Sequence, residues 1–288
     1  MNLHLAIGRW HRYRLKGATN APHLSGDLFR SMADVRFDAI ASGHGTEWAA
    51  CVADARVIFV KTDALGAFLA DVAPAARRCR VLITGNSDLE IHQIPAPLPP
   101  NLACWFAQNT FVTTDQLQPL PIGLENAALG RNGRPSLFRR RRADAIRERR
   151  LRVFAAFGAT TPERHGLLDR LRRAPVVVAA ERLSPARFQA GLRAHRFVLA
   201  PRGNGVDTHR FWEALYADAI PVTRASAWSR AIRAAGLPMI EVDDWDEILS
   251  WTESDLARWS AEHPDRPSAL PWLWEPFWRD RIAALAST

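Results

Sequence analysis

The densest set of residues able to do chemistry lies in Phe197-Val-Leu-Ala-Pro-Arg-Gly-Asn-Gly-Val-Asp-Thr-His-Arg-Phe-Trp-Glu-Ala-Leu-Tyr216. An apolar run reads as a strand, Gly203 and Gly205 make a turn, and Asp207 or Thr208 then caps a helix. A strand that turns directly into a helix brings free backbone N–H groups and the positive helix end to one point, which makes an anion site. Arg202 and Arg210 add guanidinium forks suited to a diphosphate, and Glu213, one turn on, can accept hydrogen bonds from ribose hydroxyls. The alternative is a tight turn with solvated arginines, in which Arg210 only pairs with Glu213 at i, i+3.

The surrounding elements decide whether such a site is held in place. From Leu151 onward, strand candidates at Leu151 to Phe157, Val176 to Ala180, Phe197 to Ala200, Ile220 to Thr223 and Met239 to Val242 recur with the rhythm of strand, crossover helix and parallel strand. Thr161-Pro162-Glu163 and Ser184-Pro185 put a capping hydroxyl before a proline and predict helix starts. A doubly wound parallel sheet follows. In the first half, Arg56 to Val60, Arg80 to Thr84 and Leu102 to Gln108 read as strands alternating with helix-like stretches such as Asp63 to Val72, and Pro119 to Asn126 reads as a loop.

The 288 residues favour two domains over one core, and a cleft can form between them. An apolar fraction of 48% against 24% charged argues for folded domains rather than disorder. The net charge of +8 is local: residues 131–152 hold ten arginines against Asp144 and Glu148, and the rest of the chain is neutral. Cys51, Cys79 and Cys104 lack C-x-x-C spacing, which argues against a cysteine-ligated zinc or a disulfide framework and for a reducing cytoplasm. No stretch has the apolar length of a membrane span, and Leu3 to Ile7 is too short for a signal peptide. Six of the eleven tryptophans, from Trp245 to Trp278, fall in the last 44 residues at roughly helical spacing, as helices docking aromatic faces onto the lobes or as a sugar-stacking platform.

Pro201-Arg-Gly-Asn-Gly205, Asp207-Thr-His-Arg-Phe-Trp-Glu-Ala-Leu-Tyr216 and Ile220-Pro-Val222 together resemble the signature of exostosin-like glycosyltransferases. Ile83-Thr-Gly-Asn-Ser-Asp88, Trp105-Phe-Ala-Gln-Asn109 and Pro121-Ile-Gly-Leu-Glu-Asn126 are similar to N-terminal segments of small bacterial members. The resemblance implies an α/β fold of GT-B architecture, with two Rossmann-like lobes whose parallel sheets face a central cleft and C-terminal Trp-rich helices. Residues 1–135 would form the acceptor-side lobe, 136–150 an Arg-rich linker or helix, 151–270 the nucleotide-sugar lobe, and 271–288 a C-terminal helix packing back on the first lobe.

Carried over by position, Arg164, Arg202, Asn204, Gly205, Asp207, His209, Arg210 and Glu213 would hold the donor, and Asn86, Gln108, Asn109 and Glu125 would face the acceptor cleft. Where family members commonly have a glycine before Ile-Pro-Val, this chain has Asp218, which tolerates a left-handed backbone less well. The implied reaction is inverting transfer from a UDP-sugar to a hydroxyl of a glycan, lipid-linked or protein acceptor. It needs a base, and Asp88 is the candidate, with His92, His209 and Glu125 as alternatives. Asp243-Asp-Trp-Asp246 contains a D-x-D pattern able to bind Mg²⁺, but helix capping explains it equally well, so no cofactor or metal is expected. The Arg-rich segment offers peripheral contact with anionic lipid at the inner membrane face; the competing readings are a nucleic-acid-binding protein, which is not expected, and a relative that binds a nucleotide sugar without transferring it.

Overall fold

The computed structural model describes residues 20–38, 45–129, 133–138 and 149–288. Among them, the first lobe contains α1 (Gly26–Ser31), β1 (Val35–Phe37), α2 (Gly45–Val52), β2 (Val57–Lys61), α3 (Leu65–Asp71), β3 (Val81–Gly85), β4 (Cys104–Ala107) and β5 (Leu117–Pro119). The second contains β6 (Arg150–Ala155), α4 (Leu167–Leu171), β7 (Val177–Ala179), α5 (Pro185–Ala194), β8 (His195–Leu199), α6 (His209–Tyr216), β9 (Ile220–Arg224), α7 (Ala227–Ala234), β10 (Ile240–Val242) and α8 (Glu253–Glu262). A last helix, α9 (Glu275–Ser287), follows. Both sheets are five-stranded and parallel throughout, as the strand and helix rhythm predicts.

The two sheets are wound differently. The first runs in the order β1-β2-β3-β4-β5, so right-handed crossovers place its connections on one face. There α2 and α3 cover Ile58, Val60, Leu82 and Trp105. The opposite face, Val57, Phe59, Ile83 and Phe106, is covered by α1 and by Trp278, Ile282 and Ala286 of α9. The second sheet, ordered β10-β9-β8-β6-β7, is doubly wound: Val153, Phe197 and Ile220 pack on α4 and α8, while Phe154 and Val198 pack on α5, α6 and α7.

Strand ends fall within one or two residues of the apolar runs. Ser184 caps α5 ahead of Pro185, as predicted. Thr161-Pro162-Glu163 gives only a single 3₁₀ turn, Pro162–Arg164; Gly166 then turns left-handed and α4 begins at Leu167. Asp218 adopts the left-handed backbone at φ 60°, which Asp tolerates better than most side chains, and its carboxylate accepts the Ser268 N–H at 3.0 Å, a tertiary contact to the C-terminal segment.

The C-terminal tryptophans are structural. Trp245, Trp251 and Trp278 are buried, and the Nε1–H groups of Trp245, Trp274 and Trp278 are bonded to Glu163, Ser268 and Trp272. Trp272 stacks on Trp212 of α6 at 6.0 Å and meets Trp278 edge-on at 4.5 Å, joining the cores of both lobes. Among the described residues no helix is long and apolar enough to cross a membrane.

Tyr216 makes the second join. Its buried hydroxyl accepts the Leu24 N–H at 2.9 Å and donates to the Leu273 carbonyl at 2.7 Å. Tyr216→Phe leaves both backbone groups unpaired and is expected to lower unfolding free energy by about 1–3 kcal/mol, measured by urea denaturation.

Candidate functional site

A cavity of about 1080 Å³ opens at the carboxyl edge of the second sheet. The chain runs outward from β6 to β7 and then crosses back to β8, so the connections diverge between β6 and β8 and leave a crevice, the usual ligand position in an open parallel sheet. Its walls are the loops that follow β6 and β8, the start of α6 and one face of α5, and Asp88, Ile122 and Glu125 of the first lobe close the other side.

One end of the cavity is built by α6. Thr208 occupies its N-cap position but makes no side-chain cap bond, and its buried Oγ1 has no hydrogen-bond partner. The helix end is therefore left open toward the cavity. Arg164 reaches the loop after β8, donating through Nε to the Arg202 carbonyl at 2.9 Å and through Nη2 to the Pro201 carbonyl at 2.8 Å. Burial, reinforced by the positive charge of Arg210, pulls the Arg164 guanidinium down to about 10. Two guanidinium groups held near each other at a buried helix N-terminus create a demand for negative charge.

Arg210 lies 4.0 Å over the Phe188 ring, donates to the Ala156 carbonyl, and pairs through Nε with Glu213 at 3.0 Å. The i, i+3 pair foreseen as the bland alternative is thus present, but it is not solvated: the Glu213 side chain is 4% exposed and lines the cavity. A buried ion pair contributes little net stability once desolvation is counted.

His209 donates through Nδ1 to the Gly123 carbonyl of the first lobe at 2.8 Å, because a carbonyl can only accept. In the neutral ring Nε2 then carries the lone pair. Asp88 sits exposed at the rim, where its Oδ2 accepts the Asn204 Nδ2–H at 3.0 Å. Glu125 also lines the cavity. His92 lies outside it, stacked on Phe111 at 4.6 Å and 3.3 Å from Glu90.

Several expected contacts are corrected. Asp207 lines the cavity, but both oxygens of its buried carboxylate are engaged within the protein, one accepting the Trp212 indole N–H at 2.6 Å and the other the Ile122 N–H at 2.8 Å. Arg202 is not among the cavity-lining residues and pairs with Glu90 of the first lobe at 2.7 Å. Gln108 and Asn109 are 1% exposed and brace loops instead of facing a cleft: Gln108 accepts the Asn86 N–H at 2.8 Å, and Asn109 accepts the Asp207 N–H at 2.9 Å. Asn86 bonds Asp27 and Asn126. Gly205 is required by this bracing, because a Cβ there would stand 2.5 Å from the Asn109 Oδ1.

The D-x-D carboxylates serve the fold as well. Asp244 caps a 3₁₀ helix, Trp245–Ser250, and Asp246 pairs with Arg170 at 2.9 Å. Of the Arg-rich segment, residues 131–132 and 139–148, including Arg131, Arg139 to Arg142 and Arg147, lie outside the described residues. Arg149 bonds the Ala217 carbonyl, and Arg152 pairs with Glu253 at 2.6 Å. Sequence reasoning passed over Phe188 and Gln189, which enter the cavity from α5. The legible signal was a glutamine in the helical stripe Pro185, Phe188, Gln189 and Leu192, where an apolar residue is expected.

No family model matches the chain, and no curated protein does. Among solved structures, AviGT4, a glycosyltransferase involved in avilamycin A biosynthesis, is similar over 86% of this chain and 78% of its own, at 12% identity and a TM-score of 0.37. At that level the likeness carries no functional weight, and the chemistry assigned to the cavity rests on its own residues.

Burial pushes the Asp207 carboxyl up to about 8, against its two N–H bonds, which favour the charged form. A folded pKa raised above the unfolded value gives stability that is full below about 4 and lost as pH rises through about 8. Wild type is therefore expected to lose part of its thermal stability between those pH values, with the slope absent in Asp207→Asn, as read by calorimetry across the pH range.

Proposed function

We propose that this chain is a glycosyltransferase that moves a sugar from a nucleoside-diphosphate sugar to a hydroxyl acceptor. The observation that carries the reading is the convergence of Arg164, Arg210, Glu213 and the open N-terminus of α6 in one large cavity at the switch point of the second sheet. The diphosphate lies against α6, Arg164 and Arg210, and Glu213 accepts from the ribose hydroxyls. The transferred sugar faces the first lobe. Resemblance to the exostosin-like signature favours a UDP-sugar, an inverting reaction, and an acceptor in polysaccharide or glycoconjugate synthesis.

In that reaction the acceptor oxygen attacks the anomeric carbon, the bond to the diphosphate oxygen breaks, and the acceptor proton passes to a base. Among the candidates that line the cavity, we favour Asp88 at the rim and the Nε2 of His209, whose Nδ1 is held by Gly123, over Glu125. The leaving diphosphate is stabilised by the two guanidinium groups and the helix end, so the reaction is proposed to proceed without metal. A cytoplasmic setting with peripheral membrane contact through the Arg-rich segment fits an acceptor made at the membrane. The nucleic-acid reading is less favoured because Arg149 and Arg152 are engaged within the second lobe.

Arg210→Gln and Glu213→Gln are each expected to lower kcat/KM for transfer by about 10²- to 10³-fold, with unchanged circular dichroism and with wild-type turnover maintained in EDTA. Undiminished transfer in both variants overturns the assignment. Between the two candidate bases, Asp88→Asn and His209→Gln are compared by pH profile, and the variant that loses the limb of the kcat profile set by deprotonation names the base.

A further inference from the structure

We infer that Gln189 is a specificity-determining contact for the nucleobase, a role that rests on the donor reading above. Gln189 lies on α5 and is 5% exposed, yet it lines the cavity, and its Oε1 has no hydrogen-bond partner. A buried amide oxygen without a partner is costly, and such a group at a cavity wall is accounted for by a ligand N–H that completes it. The cavity residues nearest to it in sequence are the apolar Leu183, Pro185 and Phe188, followed further back by Arg182 and Glu181. A buried amide beside an aromatic ring and aliphatic side chains is a pattern by which a flat heterocycle is oriented.

Position along the cavity selects the base over the transferred sugar. The sugar must face the first lobe, whose residues at the cavity are Asp88, Ile122 and Glu125. Gln189 belongs to the second lobe alone, next in sequence to the Phe188 ring that carries Arg210, and Arg210 pairs with Glu213 at the ribose position. A nucleoside held by Glu213 therefore extends its base toward α5. The primary amide offers an acceptor and a donor side by side, so it pairs with a base edge that presents an N–H beside an acceptor.

The test is isothermal titration calorimetry of the full chain with UDP, GDP, ADP and inorganic pyrophosphate, on wild type, Gln189→Leu and Gln189→Glu. Gln189→Leu is expected to weaken the nucleotide preferred by wild type about ten- to hundred-fold, to flatten discrimination among the three bases, and to leave pyrophosphate binding unchanged. Should the leucine variant not fold, the near-isosteric Gln189→Glu is read in its place: it loses the N–H donor and adds a negative charge, so every anion including pyrophosphate weakens, and the preference among the three bases is expected to change beyond that common loss. Equal affinity and unchanged base preference in a folded variant overturn the role of Gln189 and leave the donor reading standing. If wild type binds none of the three nucleotides, the donor reading itself falls and takes this role with it.

Discussion

The arrangement of the site depends on one buried carboxylate. Asp207 binds a backbone N–H of the first lobe with one oxygen and the indole of the second lobe's α6 with the other, while its own N–H is held by Asn109. In a low-dielectric interior these bonds are strong when all are made and costly when one is missing, so they fix a single geometry. Gly205 allows the close approach, and Arg202 and Asn204 extend the same tie outward to Glu90 and Asp88. The loop after β8 is thereby clamped between two lobes before any ligand arrives. Preorganisation of this kind reduces the entropy lost on binding.

The cavity wall concentrates what a stable interior avoids: two guanidinium groups, a carboxylate exposed by only 4%, and two buried polar side-chain oxygens without partners. Arg164 and Arg210 brace backbone carbonyls, whereas the two unpartnered oxygens contribute nothing to the fold. On the proposed reading a diphosphate would meet the guanidinium groups and a nucleoside the unpartnered oxygens.

Much of this was legible in the chain. The βα rhythm after Leu151, the parallel sheets, and the helix start after Thr208 followed from periodicity and turn chemistry, which are local signals. What the sequence did not disclose was non-local. The three-residue strands β1 and β5 are too short for any period to register. Arg202 and Asp207 look like ligand contacts until Glu90 and Ile122 are brought beside them from the other lobe. Asn86, Gln108 and Asn109 have the composition of a binding cleft and act as loop braces, because amides suit both tasks and only burial separates them. Gln189 was readable in principle as a polar break in an apolar stripe, but the same break also marks a helix edge.

The cover of the first sheet has an implication for how the chain is made. Phe59, Ile83 and Phe106 are shielded by Trp278, Ile282 and Ala286, which leave the ribosome long after the strands they protect. The intervening residues form another whole lobe. Throughout its synthesis the nascent first lobe thus presents an apolar face that α1 covers only in part, a surface on which holdase chaperones act and on which two nascent chains can associate. Completion of the N-terminal half waits on the far end of the polypeptide, so vectorial folding here cannot proceed lobe by lobe.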